Sequence, residues 1–230
     1  MKTIGLIGGL SWESSAVYYR IINEIVRAKL GNTHSAQSIM YSVNFAEFEK
    51  LQHQGKWAEL TELMIDAGMR LKRGGADFIV ICTNTMHKMA DEVEEQAGIQ
   101  LLHIADTAAT EVQKKGLRKV ALLGTKFTME QDFYKGRLVS RHGIEVLVPD
   151  PAEREVIHSV IYSELVLGKI LGTSRQAFVK IIEHMQHLGA EGIVLGCTEI
   201  PLLITQKDCT VPVFDAMQIH AAAAVEFSLK

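Results

Sequence analysis

The stretch of sequence that decides the fold occurs twice. Gly75–Thr85 reads Gly-Ala-Asp-Phe-Ile-Val-Ile-Cys-Thr-Asn-Thr, and Gly189–Glu199 reads Gly-Ala-Glu-Gly-Ile-Val-Leu-Gly-Cys-Thr-Glu. The two stretches align at a constant offset of 114 residues, and four of the eleven pairs are identical. Each is a short apolar run that ends in small polar residues, which is typical of a buried strand. The repetition predicts a duplicated structural unit.

A second pair of stretches supports the duplication. Lys2–Gly8 and Arg118–Gly124 match at an offset of 116 residues, and each opens its half of the chain. Eight apolar runs of this kind divide into four and four in matching order. The predicted strands are Thr3–Ile7, Ser38–Val43, Asp77–Ile81 and Gln100–Ile104 in the first half, and Lys119–Leu123, Ile144–Val148, Gly192–Leu195 and Val211–Phe214 in the second.

Amphipathic segments lie between the predicted strands. Val17, Ile21 and Ile25 repeat at helical spacing between a potential cap at Ser11 and a stop at Gly31. Two further helical stripes have the same spacing and consist of Leu60, Met64, Ala67 and Leu71, and of Phe178, Ile181, Ile182, Met185 and Leu188. Short strands that alternate with helices predict an α/β fold with parallel sheets.

The duplication also predicts the domain organisation. We expect two similar parallel-sheet α/β domains related by a pseudo-twofold axis, with the active site in the cleft between them. The first domain is predicted to comprise residues 1–103 plus 210–230, and the second residues 104–209, so that the C-terminal tail returns to the first domain.

Composition excludes several classes of function. The chain has 230 residues, 47% of them hydrophobic, and a net charge of −3, which disfavours binding to a nucleic-acid backbone. No uncharged apolar run approaches the 18 residues of a membrane span, and Glu13 comes too early for a signal peptide. Three cysteines without Cys-x-x-Cys spacing disfavour a disulfide framework or a zinc site. We therefore predict a cytoplasmic protein with reduced thiols and no metal.

The polar residues at the repeated strand ends suggest a two-sided site. The offset places Thr83 opposite Cys197, and racemisation at a carbon acid requires one group on each face of the substrate. The backbone N–H groups of Asn84, Thr85, Thr198 and Glu199 lead into predicted helices and are suited to binding a carboxylate. The same helix N-termini are expected to lower the pKa of the Cys197 thiol toward neutrality.

The residues at these positions resemble the signatures of the aspartate/glutamate racemase superfamily. Thr83-Asn84-Thr85-Met86-His87 resembles the Cys-Asn-Thr-x-His motif of the first half, and Gly196-Cys197-Thr198 the Gly-Cys-Thr motif of the second. The opening Gly5–Ser14, the closing Val211–Asp215 and Glu199 are similar to the aspartate racemase branch. The resemblance implies an amino-acid racemase that needs no pyridoxal phosphate or other cofactor.

One departure from the family pattern concerns the catalytic pair. The family has a cysteine where this chain has Thr83, and Cys82 stands one residue earlier, on the opposite face of the strand. The resemblance implies that Cys197 deprotonates L-amino acids. Thr83 does not ionise near neutral pH, so we expect proton removal from the D face to be the weak step.

A second departure concerns the substrate. The segment 44–54 lacks the arginine that aspartate-selective relatives carry, and the position of their lysine holds Val166. Gln52, His53 or Lys169 could recognise a side-chain carboxylate more weakly. We predict aspartate or glutamate as substrate, with broad specificity for neutral or longer side chains as the alternative. Leu10 and Thr125 complete the predicted substrate contacts.

Two other classes of function stay open at this point. A single cleft cysteine is also typical of related decarboxylases and isomerases of the arylmalonate decarboxylase and maleate isomerase types. The poor base at Thr83 is compatible with a non-catalytic amino-acid-binding module. The partner we expect is a small amino acid, with no nucleic acid and no membrane, and the resemblance suggests a homodimer.

Overall fold

A computed structural model describes all residues from Met1 to Lys230 and divides the chain into two compact units. Unit 1 consists of Met1–Ile104 together with His220–Lys230, and unit 2 consists of Ala105–Ile219. Each unit contains one parallel sheet, so the predicted α/β class is correct.

Unit 1 contains a three-stranded sheet in the order β2-β1-β3. Its elements, in chain order, are β1 (Ile4–Gly8), α1 (Trp12–Leu30), β2 (Ser38–Ser42), α2 (Phe45–His53), α3 (Trp57–Arg73), β3 (Phe78–Ile81), the 3₁₀ helix Thr85–Met89 and α4 (Ala90–Ala97). Every residue of β1 and β3 is buried, as their apolar sequences require.

Unit 2 contains a four-stranded sheet in the order β5-β4-β6-β7. The elements that follow α4 are α5 (Ile104–Lys114), β4 (Lys119–Gly124), α6 (Lys126–Glu130), α7 (Asp132–His142), β5 (Glu145–Leu147), α8 (Pro151–Ser163), α9 (Gly172–His187), β6 (Gly192–Gly196), β7 (Val213–Asp215) and α10 (Ala216–Ser228). Short 3₁₀ helices at Leu165–Leu167, Ile200–Leu202 and Gln206–Asp208 complete the chain.

The predicted helix boundaries of α1 agree with the structure. The Ser11 side chain accepts a hydrogen bond from the Ser14 N–H, and Gly31 ends the helix with φ of +78°. The buried face, however, is formed by Tyr18, Ile22 and Val26, next to the predicted stripe.

Two expected features differ from the structure. The segment Gln100–Ile104 forms a single bridge from Leu101 to Ile79 instead of a strand. The last strand, β7, pairs with β6, so residues 210–219 lie in unit 2 and not in the first domain as expected. From His220 onward the tail does lie in unit 1, where the Lys2 N–H donates to the carbonyl of Ser228.

Candidate active site

The candidate residues of unit 1 follow the carboxyl ends of its strands. Thr83, Asn84 and Thr85 come after β3, Leu10 comes after β1, and Gln52 lies in α2, which follows β2. Because the three strands are parallel, their carboxyl ends share one edge of the sheet. The sheet therefore brings the residues that directly follow β1 and β3 to the same edge, whereas Gln52 lies in the last turn of α2.

The loop after β1 has room only for glycine at position 9. Gly9 has φ of +83°, and a Cβ atom there would lie 2.2 Å from the carbonyl oxygen of Val43. The Gly9 N–H donates to the Ser15 Oγ at 2.8 Å. The turn directs Leu10 into the apolar core of unit 1, where it is 5% exposed, so its side chain serves packing.

Asn84 has the most unusual environment of the predicted residues. Its side chain is 3% exposed, and neither Nδ2 nor Oδ1 has a hydrogen-bond partner. Buried amides are almost always paired, since an unsatisfied polar group costs about 1–3 kcal/mol. A ligand that both donates and accepts hydrogen bonds would satisfy this side chain. Thr83, beside it, is half-buried, and Thr85 and Gln52 are buried.

Cys82 has a structural role, as expected from its position on the strand. It is fully buried, its carbonyl oxygen accepts a hydrogen bond from the Ser14 Oγ, and burial raises the pKa of its thiol. Cys209, in unit 2, is half-buried, and burial together with the Asp208 charge raises the pKa of its thiol to about 11. Neither cysteine has the environment of a reactive thiolate.

The candidate residues of unit 2 follow two paired strands. Gly124 of β4 lies opposite Gly196 of β6, and Thr125 and Cys197 come directly after them. Thr125 caps α6 by accepting a hydrogen bond from the Thr128 N–H. The sheet thus brings Thr125 to the same edge as the Cys197 segment.

Cys197 donates a hydrogen bond to the neighbouring carboxylate. Its Sγ lies 3.1 Å from Oε2 of Glu199, and the same oxygen accepts a hydrogen bond of 2.7 Å from the Thr198 Oγ1. Cys197 is 6% exposed, and burial together with the Glu199 charge raises the pKa of its thiol well above the ordinary value. The expected lowering of this pKa is therefore wrong, although the N–H groups of Glu199 and Ile200 do favour the thiolate.

The helix that follows Cys197 is too short to offset burial and the Glu199 charge. Ile200–Leu202 is a single 3₁₀ turn, so it has few aligned peptide dipoles to favour the thiolate. The carboxylate beside the thiol instead provides an acceptor for its proton. A proton can therefore pass from Cys197 to Glu199. The residue types at these two positions do not by themselves predict this transfer.

The residues expected to bind a side-chain carboxylate come from both units. Lys169 is exposed in the loop after the 3₁₀ helix Leu165–Leu167, and Val166 is half-buried beside the core of unit 2. His53 bonds through Nδ1 to the carbonyl of Glu49 in its own helix. Gln52 is the buried polar side chain of this segment, and it carries no charge.

His184 belongs to a small polar cluster on the surface of unit 2. The cluster consists of Asp150, Glu153 and His184. A carboxylate oxygen of each acidic residue and a ring nitrogen of the histidine all lie within 4.8 Å of one another. The two carboxylates also form the capping box of α8, and His184 Nδ1 lies 2.8 Å from Glu153 Oε1. Helix capping and the hydrogen bond between His184 and Glu153 account for this arrangement.

Sequence reasoning missed a buried histidine cluster in unit 1. The ring of His87 lies 4.7 Å from that of His103 and 5.5 Å from that of His220, measured between centroids. All three side chains are at most 4% exposed. His87 stands in the motif that carries the family resemblance, but nothing in the sequence connects it to His103 or to His220, which is 133 positions further along the chain.

Each of the two α/β units has a parallel sheet and small polar residues after its strands. These features agree with the racemase class of protein that the sequence motifs predict. The family model described as Asp/Glu/Hydantoin racemase matches residues 7–224, and the chain belongs to this family. The predicted family and the racemase class of enzyme are thereby confirmed. No helix of the structure has the length and apolarity to cross a bilayer.

Solved structures and a curated relative are similar over much of the chain. A candidate Asp/Glu racemase from Yersinia pestis is 51% identical, with both chains fully covered and a TM-score of 0.96. An aspartate racemase homologue from Pyrococcus horikoshii OT3 is 38% identical over the whole of both chains, with a TM-score of 0.88. The broad specificity amino-acid racemase RacX of Bacillus subtilis (strain 168) is 24% identical over 73% of this chain and 71% of its own.

Proposed function

We propose that this chain is a cofactor-independent amino-acid racemase in which Cys197 is the base on the L face and Thr83 acts on the D face. The observation that carries the proposal is the hydrogen bond of 3.1 Å from the Cys197 thiol to the Glu199 carboxylate. A thiol becomes a base only after it loses its proton, and a carboxylate at this distance can accept it.

The proposed reaction conserves protons at every step. The Cys197 proton passes to Glu199, and the thiolate then removes the Cα proton of an L-amino acid. The Thr83 hydroxyl donates its proton to the opposite face of the carbanion and takes another from water, which its half-buried side chain can contact. Glu199 then returns its proton to the hydroxide that this leaves, so that the enzyme regains its starting protonation state. The unpaired amide of Asn84 and neighbouring backbone N–H groups bind the substrate carboxylate and ammonium group.

The preferred substrate in this proposal is aspartate or glutamate, the amino acids in the names of the Yersinia pestis and Pyrococcus horikoshii relatives. The alternative is broad specificity for amino acids with neutral or longer side chains, as in the name of the Bacillus subtilis relative. This alternative rests on the absence of arginine from residues 44–54 and on the neutral, buried Gln52. A dimer and a cytoplasmic location, both suggested by the sequence, stay predictions.

The test follows deuterium exchange at Cα in D₂O without pyridoxal phosphate. L- and D-forms of aspartate, glutamate and a set of neutral amino acids are incubated with the enzyme and analysed by NMR and chiral chromatography. We expect exchange and formation of the antipode, both abolished in Cys197→Ala and retained in Cys209→Ser, a matched thiol control. Absence of exchange with every amino acid contradicts the proposal.

Thr83→Cys tests the role of the hydroxyl on the D face. Because enantiomers have equal free energies, kcat/KM must be equal in the two directions, and only kcat and KM separately can differ. A thiol ionises far more readily than an alcohol and so supplies a base near neutral pH, and we therefore expect this variant to raise kcat for the D substrate. An unchanged kcat in the D direction contradicts the assignment of Thr83.

A further inference from the structure

The side chain of His87 connects the Thr83 segment to Ile104, the last residue of the first chain segment of unit 1. Its Nδ1 lies 2.8 Å from the carbonyl oxygen of Thr83, and its Nε2 lies 3.2 Å from the backbone nitrogen of Ile104. The Ile104 N–H can only donate, so Nε2 must be the acceptor and carries no proton. The neutral ring therefore has its proton on Nδ1 and donates it to Thr83.

His87 also binds the next carbonyl group through its backbone. Its own N–H donates to the carbonyl oxygen of Asn84 at 3.1 Å. In a trans peptide the C=O and N–H groups point in opposite directions, so a bond that fixes one carbonyl fixes the direction of the following N–H. One residue thus determines the directions of the Asn84 and Thr85 N–H groups, which are two predicted carboxylate donors.

The ring of His87 is itself held in place by its neighbours. It is 2% exposed and packs edge-on against His103 and His220. His220 has the opposite tautomer, because its Nε2 donates to the Leu102 carbonyl at 2.8 Å while its Nδ1 accepts from the Tyr18 hydroxyl at 2.9 Å. The two histidines together fix the segment 102–104, which supplies the acceptor and donor atoms for both rings.

From these contacts we infer that His87 is a positioning residue of the racemase. It orients the backbone N–H groups of Asn84 and Thr85 toward the substrate carboxylate by holding the carbonyl groups of Thr83 and Asn84. This inference rests on the proposed function. Hydrogen bonds behind a ligand-binding group set its geometry, and small displacements of such groups reduce catalysis strongly.

Two variants of His87 separate positioning from packing. In His87→Asn the side-chain amide can replace Nδ1–H as donor to Thr83, whereas in His87→Gln the amide oxygen can replace Nε2 as acceptor for Ile104. Both variants lose the ring contacts to His103 and His220 and should be destabilised to a similar extent. Only the glutamine variant loses the donor to the Thr83 carbonyl.

The kinetic readout is KM and kcat for the amino acid that the wild-type enzyme turns over fastest. We expect kcat/KM of His87→Gln to be about 10- to 100-fold lower than that of His87→Asn, mainly through KM. Melting temperatures of the two variants should be similar. Equal losses of kcat/KM, in proportion to the folded fraction, contradict the inference and assign His87 to packing.

NMR of the ligand-free protein tests the same inference without activity. The ¹⁵N spectrum should show His87 protonated at Nδ1 and unprotonated at Nε2. The amide signals of Asn84 and Thr85 should move in His87→Gln and stay near their wild-type positions in His87→Asn. The opposite tautomer, or equal signals in both variants, overturns the inference. If wild-type enzyme exchanges no amino acid, the proposed function fails while these spectra still decide the role of His87.

Discussion

At the scale of single residues, Glu199 has two opposing effects on Cys197. Its charge disfavours the thiolate, yet its Oε2 is the acceptor to which the thiol is hydrogen-bonded. A base that must first transfer its own proton can tolerate a raised pKa when the acceptor is already in contact. Replacing Glu199 with glutamine removes the charge and keeps the shape of the side chain, so this variant measures the balance of the two effects.

Glu199→Gln should lower the pKa of the Cys197 thiol and also lower racemisation. The pKa falls because the repulsion between the thiolate and the carboxylate disappears, and activity falls because the proton acceptor is lost. The thiolate is followed by its ultraviolet absorbance against pH, with the titration of Cys197→Ser subtracted to remove Cys82 and Cys209. A thiol that titrates at a higher pH in Glu199→Gln contradicts this account.

Asn84→Leu should separate stability from function. Leucine has nearly the shape of asparagine, and the wild-type amide makes no hydrogen bond that the substitution could break. We expect a free energy of unfolding within about 1 kcal/mol of wild type or higher, because an unsatisfied buried polar group is removed. The KM for the amino acid should rise strongly. A loss of stability of several kcal/mol in urea titrations indicates a structural role for the amide.

At the scale of elements, the close contact between β4 and β6 positions the Cys197 segment. A Cβ atom on Gly124 would lie 2.8 Å from the carbonyl oxygen of Gly196, a backbone atom that cannot move aside independently. Gly196 directly precedes Cys197, so this contact determines where the strand ends and the Cys197 loop begins. Glycine at positions 124 and 196 therefore allows β4 and β6 to pack closely and sets the position of Cys197.

Gly124→Ala should therefore destabilise unit 2 and impair catalysis together. We expect a loss of about 1–3 kcal/mol in the free energy of unfolding, as for other overpacked sites. Gly172→Ala is the matched control, because a Cβ atom there meets nothing within 4 Å, and its stability should be unchanged or slightly higher. Equal stability of the two variants in urea titrations contradicts the proposed contact.

The elements also show what the sequence could and could not predict. The strands β1, β3, β4 and β6 were predictable because, apart from Lys119 at the start of β4, they are apolar and repeat in order. The pairing of β7 with β6 was not predictable, since a strand of three residues does not indicate which strand it pairs with. The positions of the strand-end residues followed from parallel strands, but the pKa of Cys197 depends on burial and on the direction of the Glu199 side chain.

At the scale of the whole molecule, unit 1 is assembled from two distant segments of chain. The returning segment His220–Lys230 contacts the first segment through several side chains. Phe227 packs against Phe78 with ring centroids 4.7 Å apart, and Glu226 forms an ion pair with Lys29. His220, at the start of this segment, is the contact that depends on protonation.

Acid should destabilise the protein through His220. Burial lowers the pKa of this imidazole to about 4, against 6.5 for the unfolded chain. The unfolded state therefore binds more protons between these values, so the contribution of His220 is complete above pH 6.5 and is lost as the pH falls toward 4. The difference corresponds to on the order of 3 kcal/mol, because each pKa unit is equivalent to about 1.4 kcal/mol.

Urea titrations between pH 7 and 4 give the free energy of unfolding at each pH. We expect this free energy to fall more steeply with decreasing pH in wild type and in the exposed control His34→Gln than in His220→Gln. Parallel pH profiles for all three proteins contradict the assignment, and a shallower profile only in His220→Gln identifies the returning segment as the acid-sensitive part of unit 1.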